Sequence, residues 1–192
     1  VSFECDGQAI ARAVLAPTDM RSSMIVDFGG TRTGITVVTA GTAVYTSTLD
    51  FGGKSLIDSL IKERAVSVEE AHRLMHEYGV SASGAHKDIF SILVTGIAVL
   101  KDEINKRYVY WQERKDQFAP MPSIETIYLC GGYSTIAGLA DYLSVTLKVK
   151  TVLVNPWTNC VDFEDEIPAI KHDEAQSYVT AIGLALADYL YD

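Results

Sequence analysis

Between Ser22 and Leu49 the chain is built from short runs of β-branched and apolar residues punctuated by glycine. Such a stretch folds as sheet. Met24-Ile25-Val26 runs through Asp27 and Phe28 into Gly29-Gly30. Residues 33–39 (TGITVVT) and 42–49 (TAVYTSTL) follow, with only Ala40-Gly41 between them. A two-residue turn between two such runs predicts a hairpin, and the three runs predict an antiparallel meander. A second unit lies far downstream. Residues 124–130 read as a strand ending in Gly131-Gly132. Ser134 is placed to cap a helix over 135–147 that buries Ile136, Leu139, Leu143 and Leu147, and residues 149–154 (VKTVLV) form the next strand. Strand, helix, strand in that order predicts a crossover with parallel pairing. A meander joined to a crossover unit gives a mixed five-stranded sheet in an α/β chain.

The segments between are helical. Residues 7–16 carry Ile10, Ala13 and Val14 on one face, with Pro17 after them. Gly52-Gly53 opens a helix whose buried stripe is Leu56, Ile57, Leu60 and Ile61. Ser67 and Glu70 form a capping box for a second, with Val68, Ala71, Leu74, Met75 and Tyr78 inward. A long helix over about 85–115 repeats Phe90, Leu93, Ile97, Leu100, Ile104, Tyr108 and Trp111 at steps of three or four. It would span about 40 Å. Residues 162–174 read as a solvated acidic loop. The last helix, about 174–190, buries Tyr178, Val179, Ile182, Ala185, Leu186 and Tyr189; Leu184, with Leu190, is left either for a surface outside this chain or for cover by the chain's own domain. The pattern divides the chain into a lobe of residues 1–53 and 116–192 and an inserted, mainly helical subdomain of residues 54–115.

Charge and cysteine content narrow the function. With 16 Lys+Arg against 25 Asp+Glu, the net charge is -9, which argues against nucleic-acid binding. No apolar run is long enough to span a bilayer. Cys5, Cys130 and Cys160 have neither disulfide nor zinc-ligand spacing and fit a reducing compartment. His72 and His76 are four apart on one helix, a spacing better explained by a solvated face than by a metal pair. Cys130, in an apolar strand, reads as core.

Two glycine turns remain as sites. Asp27-Phe28-Gly29-Gly30-Thr31-Arg32-Thr33 is either a plain hairpin turn or a phosphate-facing loop. In the second case successive amides point at one anion, Thr31 and Thr33 add hydroxyls, and Asp27 serves a hard cation such as Mg²⁺. Gly131-Gly132 admits close backbone approach to a ligand, or simply serves the turn.

Taken in order, IVDFGGTRTGITVV, YTSTLDFGG, IYLCGGYSTIAGLADYLS, VLVNPW and YVTAIGLAL resemble the C-terminal lobe of the actin-like ATPases. They look most like the type IV pilus assembly proteins, a branch related to the bacterial cell-division actin homologue. The resemblance covers nearly all of the chain. It implies an RNase H-like lobe, and a fragment that lacks the N-terminal lobe and its first phosphate loop. It implies that Asp27, Gly29, Gly30, Thr31 and Thr33 face the phosphates, with Asp27 acting on Mg²⁺ through the nucleotide. Gly131, Gly132 and Tyr133 would line the adenosine. On the helix that gives the relatives polar contacts to adenosine, His72 and Met75 stand where they carry Glu and Lys. Met offers no hydrogen bond to a ribose hydroxyl. ATP and Mg²⁺ are thus expected in the full-length protein, and weak or absent binding with no ATP hydrolysis in this chain. The implied role is a cytoplasmic scaffold, peripheral to the inner membrane through pilus assembly partners, with weak self-association. An ATP-independent interaction module of the same fold, or a cell-division homologue, are the alternatives. A sugar kinase is disfavoured because no sugar-binding polar cluster is visible.

Overall fold

The computed structural model describes residues 3–80, 87–113, 122–161 and 167–188. Its centre is one five-stranded sheet of β1 (Ser22–Phe28), β2 (Thr33–Thr39), β3 (Thr42–Leu49), β4 (Ile124–Cys130) and β5 (Lys150–Leu153), in the order β3-β2-β1-β4-β5. β1, β2 and β3 pair antiparallel, while β4 joins β1 and β5 joins β4 in parallel. The predicted meander and crossover unit are both present. Ala40 and Gly41 at the β2–β3 turn both have positive φ, as a two-residue hairpin of the right twist requires.

Side chains alternate across β1 and build two cores. Met24, Val26 and Phe28 face one way and pack with α2 (Gly53–Arg64), α3 (Val68–Glu77), α4 (Lys87–Glu113) and α5 (Leu139–Leu147). Ile25 faces the other way, toward Ile10, Ala13 and Val14 of α1 (Asp6–Val14) and Val179 of α7 (Val179–Ala185). The result is helix, sheet, helix in three layers. α2, α3 and α4, which lie between β3 and β4 in the chain, share one hydrophobic core with the sheet. The Ser67 hydroxyl caps α3 as predicted, accepting the Glu70 amide at 3.2 Å, but Val68, expected inward, sits on the first turn and is exposed, leaving Ala71, Leu74 and Met75 as the buried stripe. Trp111 is buried near the end of α4 and donates through Nε1 to the Pro122 carbonyl at 3.1 Å, tying α4 to the approach to β4.

Two elements differ from expectation. The helix predicted from residue 135 starts at Leu139, because residues 131–138 form turns. The Ser134 hydroxyl folds back to donate to the Gly131 carbonyl at 2.7 Å instead of capping, and Gly138 turns the chain with φ 76°. The closing helix is broken into α6 (His172–Ala175), a 3-10 turn over Gln176–Tyr178, α7, and a second 3-10 turn over Leu186–Asp188. The break lets Gln176 stay buried and donate to the Val154 carbonyl at 2.9 Å. Tyr178 and Ala185, expected inside, are exposed. Leu184 is exposed. Tyr189, Leu190 and residues 162–166 of the acidic loop lie outside the described residues.

Candidate functional site

Three glycine turns meet where β1 and β4 end. The turn after β1 is fixed by its own backbone. The Gly29 amide donates to the Asp27 and Arg32 carbonyls at 3.2 and 3.1 Å. It is tied to the start of α2 through the Gly53 amide on the Gly29 carbonyl, 3.0 Å, and the Lys54 amide on the Gly30 carbonyl, 2.8 Å. The third turn joins it where the Tyr133 amide donates to the Phe28 carbonyl at 3.0 Å. Fixed this way, the loop leaves the amides of Gly30, Thr31 and Arg32 without a partner among the described residues. Successive free amides in a held turn are a ready anion site.

Asp27 and Gly131 touch. A Cβ at Gly131 would fall 2.4 Å from Asp27 Oδ1, and Gly131 has φ +92°, so both space and backbone demand glycine there. Asp27 is half-buried, and no hydrogen bond or ion pair among the described residues reaches its carboxylate. Burial first, and then the Asp6 charge, push its pKa above the ordinary carboxylate value. Below it lies Cys130, fully buried, whose thiol is raised well above its usual value by burial and by Asp27. Cys130 is a core residue, as its strand position predicted. Asp27, Asp6, Arg32, Thr36, Thr46 and Thr48 line a cleft of about 400 Å³ between the start of α1 and the open end of this sheet face.

The remaining expected site residues divide. Thr31 is exposed on the turn. Thr33 is completely buried, and its hydroxyl donates to the Phe51 carbonyl at 2.7 Å, so it braces the loop from beneath. Tyr133 lies over the first turn, where a Cβ on Gly30 would sit 3.6 Å from its ring. It also meets Phe28 and His72, at ring separations of 6.2 and 5.8 Å. Burial, with Asp58 nearby, raises its phenol pKa. Gly132 packs against Ser177. His72 therefore lies against Tyr133, while Met75 is fully buried in the main core. Among the described residues no group of His, Cys, Asp and Glu is arranged to hold a metal ion by itself. The residues present fit a nucleotide with its cation: free amides for the anion, an unpaired carboxylate for the cation, and a tight glycine contact behind it.

The sequence match now has a structural frame. The family model for type IV pilus assembly protein PilM matches residues 7–189. The chain belongs to the PilM family. Among solved structures, a PilM-PilN type IV pilus biogenesis complex aligns at 24% identity and TM-score 0.74, over 94% of this chain and 50% of that one. Ethanolamine utilization protein EutJ from Carboxydothermus hydrogenoformans aligns at 21% and 0.63, over 95% and 54%. MreB5 of Spiroplasma citri bound to ADP aligns at 13% and 0.68, over 97% and 60%. The actin-like ATPase fold is thus common to this PilM-family chain and these structures. The chain spans about half the length of the structures it matches. No helix among the described residues is long and apolar enough to cross a membrane.

The raised pKa of Asp27 makes a prediction. A carboxyl that is harder to ionise folded than unfolded adds stability below its unfolded pKa, about 4, and loses it as pH rises through the folded value. Asp27→Asn is expected to raise the melting temperature of this chain at pH 7 and to change it little near pH 4. Thermal melts of both forms across that range check it.

Proposed function

We propose that this chain is the half of an actin-like scaffold of type IV pilus assembly that receives the phosphates of a nucleotide. The observation that carries the reading is the free amide run of Gly30, Thr31 and Arg32 beside the unpaired carboxylate of Asp27, on a loop tied down from both sides. ATP would set its phosphates on the amides of Gly30, Thr31 and Arg32, with Gly29, whose own amide is taken up inside the turn, and Thr33 bracing the loop. Mg²⁺ supplies charge neutralisation when bound, and Asp27 would orient its shell. Gly131, Gly132 and Tyr133 would border the adenosine, with His72 beside them. The other half of a protein of the matched length would close the cleft.

In this role nucleotide sets conformation and assembly, and turnover is secondary. The matched complex pairs PilM with PilN, and a partner of that kind, held at an inner membrane, is the interaction proposed here. The exposed Leu184 on α7 would meet a neighbouring lobe or protein. We keep residues 54–115 as a functional subdomain carried on the lobe formed by 1–53 and 116–192.

Calorimetric titration with Mg-ATP tests the reading. The full-length protein is expected to bind at least about tenfold more tightly than this chain, because half the enclosure is missing here and open ionic contacts are screened by water. This chain alone is expected to release no phosphate above a Gly29→Glu control. Equal, tight binding by this chain contradicts the two-sided site. Failure of the full-length protein to bind selects the ATP-independent module, a reading favoured by the burial of Met75.

A further inference from the structure

This inference rests on the nucleotide-binding reading and adds a residue to it. The cleft beside the β1–β2 turn carries two carboxylates, Asp6 and Asp27, and among its described lining residues the one cation is Arg32. A polyphosphate brings several negative charges to a place that already holds two. A cation balances part of that load, and the rest needs a donor from the protein.

Arg32 is fixed at its root and free at its tip. Its carbonyl accepts the Gly29 amide at 3.1 Å, and the next residue, Thr33, is buried and bonded to Phe51. Its side chain is 74% exposed and meets Asp50, itself 95% exposed, at 3.7 Å. A pair so open to water is weak and easily exchanged. A guanidinium carried by the last residue of a run of three amides without a partner among the described residues offers a fork matched to phosphate oxygens.

We propose that Arg32 leaves Asp50 and pairs with the phosphate chain of a bound nucleotide, favouring a nucleoside triphosphate over a diphosphate. The preference follows from charge. The triphosphate carries more negative charge at neutral pH, so a lone arginine gains more from it, and the carboxylates of the cleft oppose any anion that lacks this partner.

The test uses the full-length protein, Mg-ATP and Mg-ADP as probes, and calorimetric titration. Arg32→Gln is expected to weaken Mg-ATP binding about ten- to hundredfold, the loss of a charge-assisted hydrogen bond, and to weaken Mg-ADP less. Arg32→Lys should lose part of the affinity. Asp50→Asn should bind as tightly as the natural protein or more tightly, because it releases Arg32. The melting temperature without nucleotide should stay within about 2 °C for all three. Equal Mg-ATP affinity in Arg32→Gln and the natural protein overturns this inference and leaves the nucleotide reading standing. No binding by the natural protein overturns both. If Arg32→Gln is unstable, Asp50→Asn decides: a loss matching that of Arg32→Gln means the pair is structural, and the inference fails.

Discussion

Gly183→Ala is expected to destabilise this chain by about 2–3 kcal/mol, lowering its melting temperature by roughly 5–10 °C. Gly183 lies on α7 where it crosses α1. A Cβ there would fall 1.8 Å from the Ala9 carbonyl oxygen and 2.4 Å from its carbon. Those atoms are helix backbone and cannot step aside as a side-chain tip would. The methyl group must separate the helices and open the second core, where Ile10, Ala13, Val14 and Val179 meet Ile25. It also disturbs the buried hydrogen bond from Arg12 Nη1 to the Gly183 carbonyl, 2.7 Å. Against these losses stands the better helix propensity of alanine, about 1 kcal/mol. The neighbouring Leu184 provides the control. It is 49% exposed, and Leu184→Lys should move stability by no more than about 0.5 kcal/mol. Chemical denaturation of the two variants checks the pair. A neutral Gly183→Ala would mean that α1 and α7 do not pack as closely as described.

Local patterns made the sheet legible. Alternating β-branched runs and a two-residue turn define β1 to β3, and one apolar heptad-like stripe defines α4. The crossover unit was legible for the same reason, down to the burial of Ile136, Leu139 and Leu143. The structure departs from the local pattern where a tertiary contact overrides it. Ser134 in sequence is a good helix cap, yet its hydroxyl is claimed by the Gly131 carbonyl. The closing helix has helical periodicity throughout, yet buried Gln176 and the close crossing at Gly183 set two separate packing registers.

The site was half legible for a related reason. Glycine pairs mark where backbone comes close, so Gly29-Gly30 and Gly131-Gly132 stood out. Gly52-Gly53 gives the same signal, and beyond opening α2 its Gly53 amide ties down the first turn, a role no local pattern supplies. Thr33 matched a motif, but only the fold shows its hydroxyl turned to Phe51. Asp6 lies 21 positions before Asp27 and shares its cleft, a neighbour that no local pattern supplies. His72 and Met75 looked equivalent on paper. One turn of helix separates a residue against the Tyr133 ring from one in the core.

The largest expected effect on function belongs to Asp27. The fold holds this carboxylate half-buried, without a partner among the described residues and harder to ionise than usual, an arrangement that weakens the lobe at neutral pH. A cation held with a nucleotide reverses that cost, because it favours the charged carboxylate. Removing the charge should therefore stabilise the empty protein and impair the loaded one, a combination that no packing role produces. The direct measurement is a calorimetric titration of Mg-ATP into the full-length protein and its Asp27→Asn variant, together with melting temperatures in the absence of nucleotide. The expected result is a variant that melts higher at pH 7, binds Mg-ATP at least about tenfold more weakly, and loses most of the dependence on Mg²⁺. A variant that binds Mg-ATP as tightly as the natural protein, with the same Mg²⁺ dependence, would contradict the assignment of this turn as the phosphate and cation half of the site.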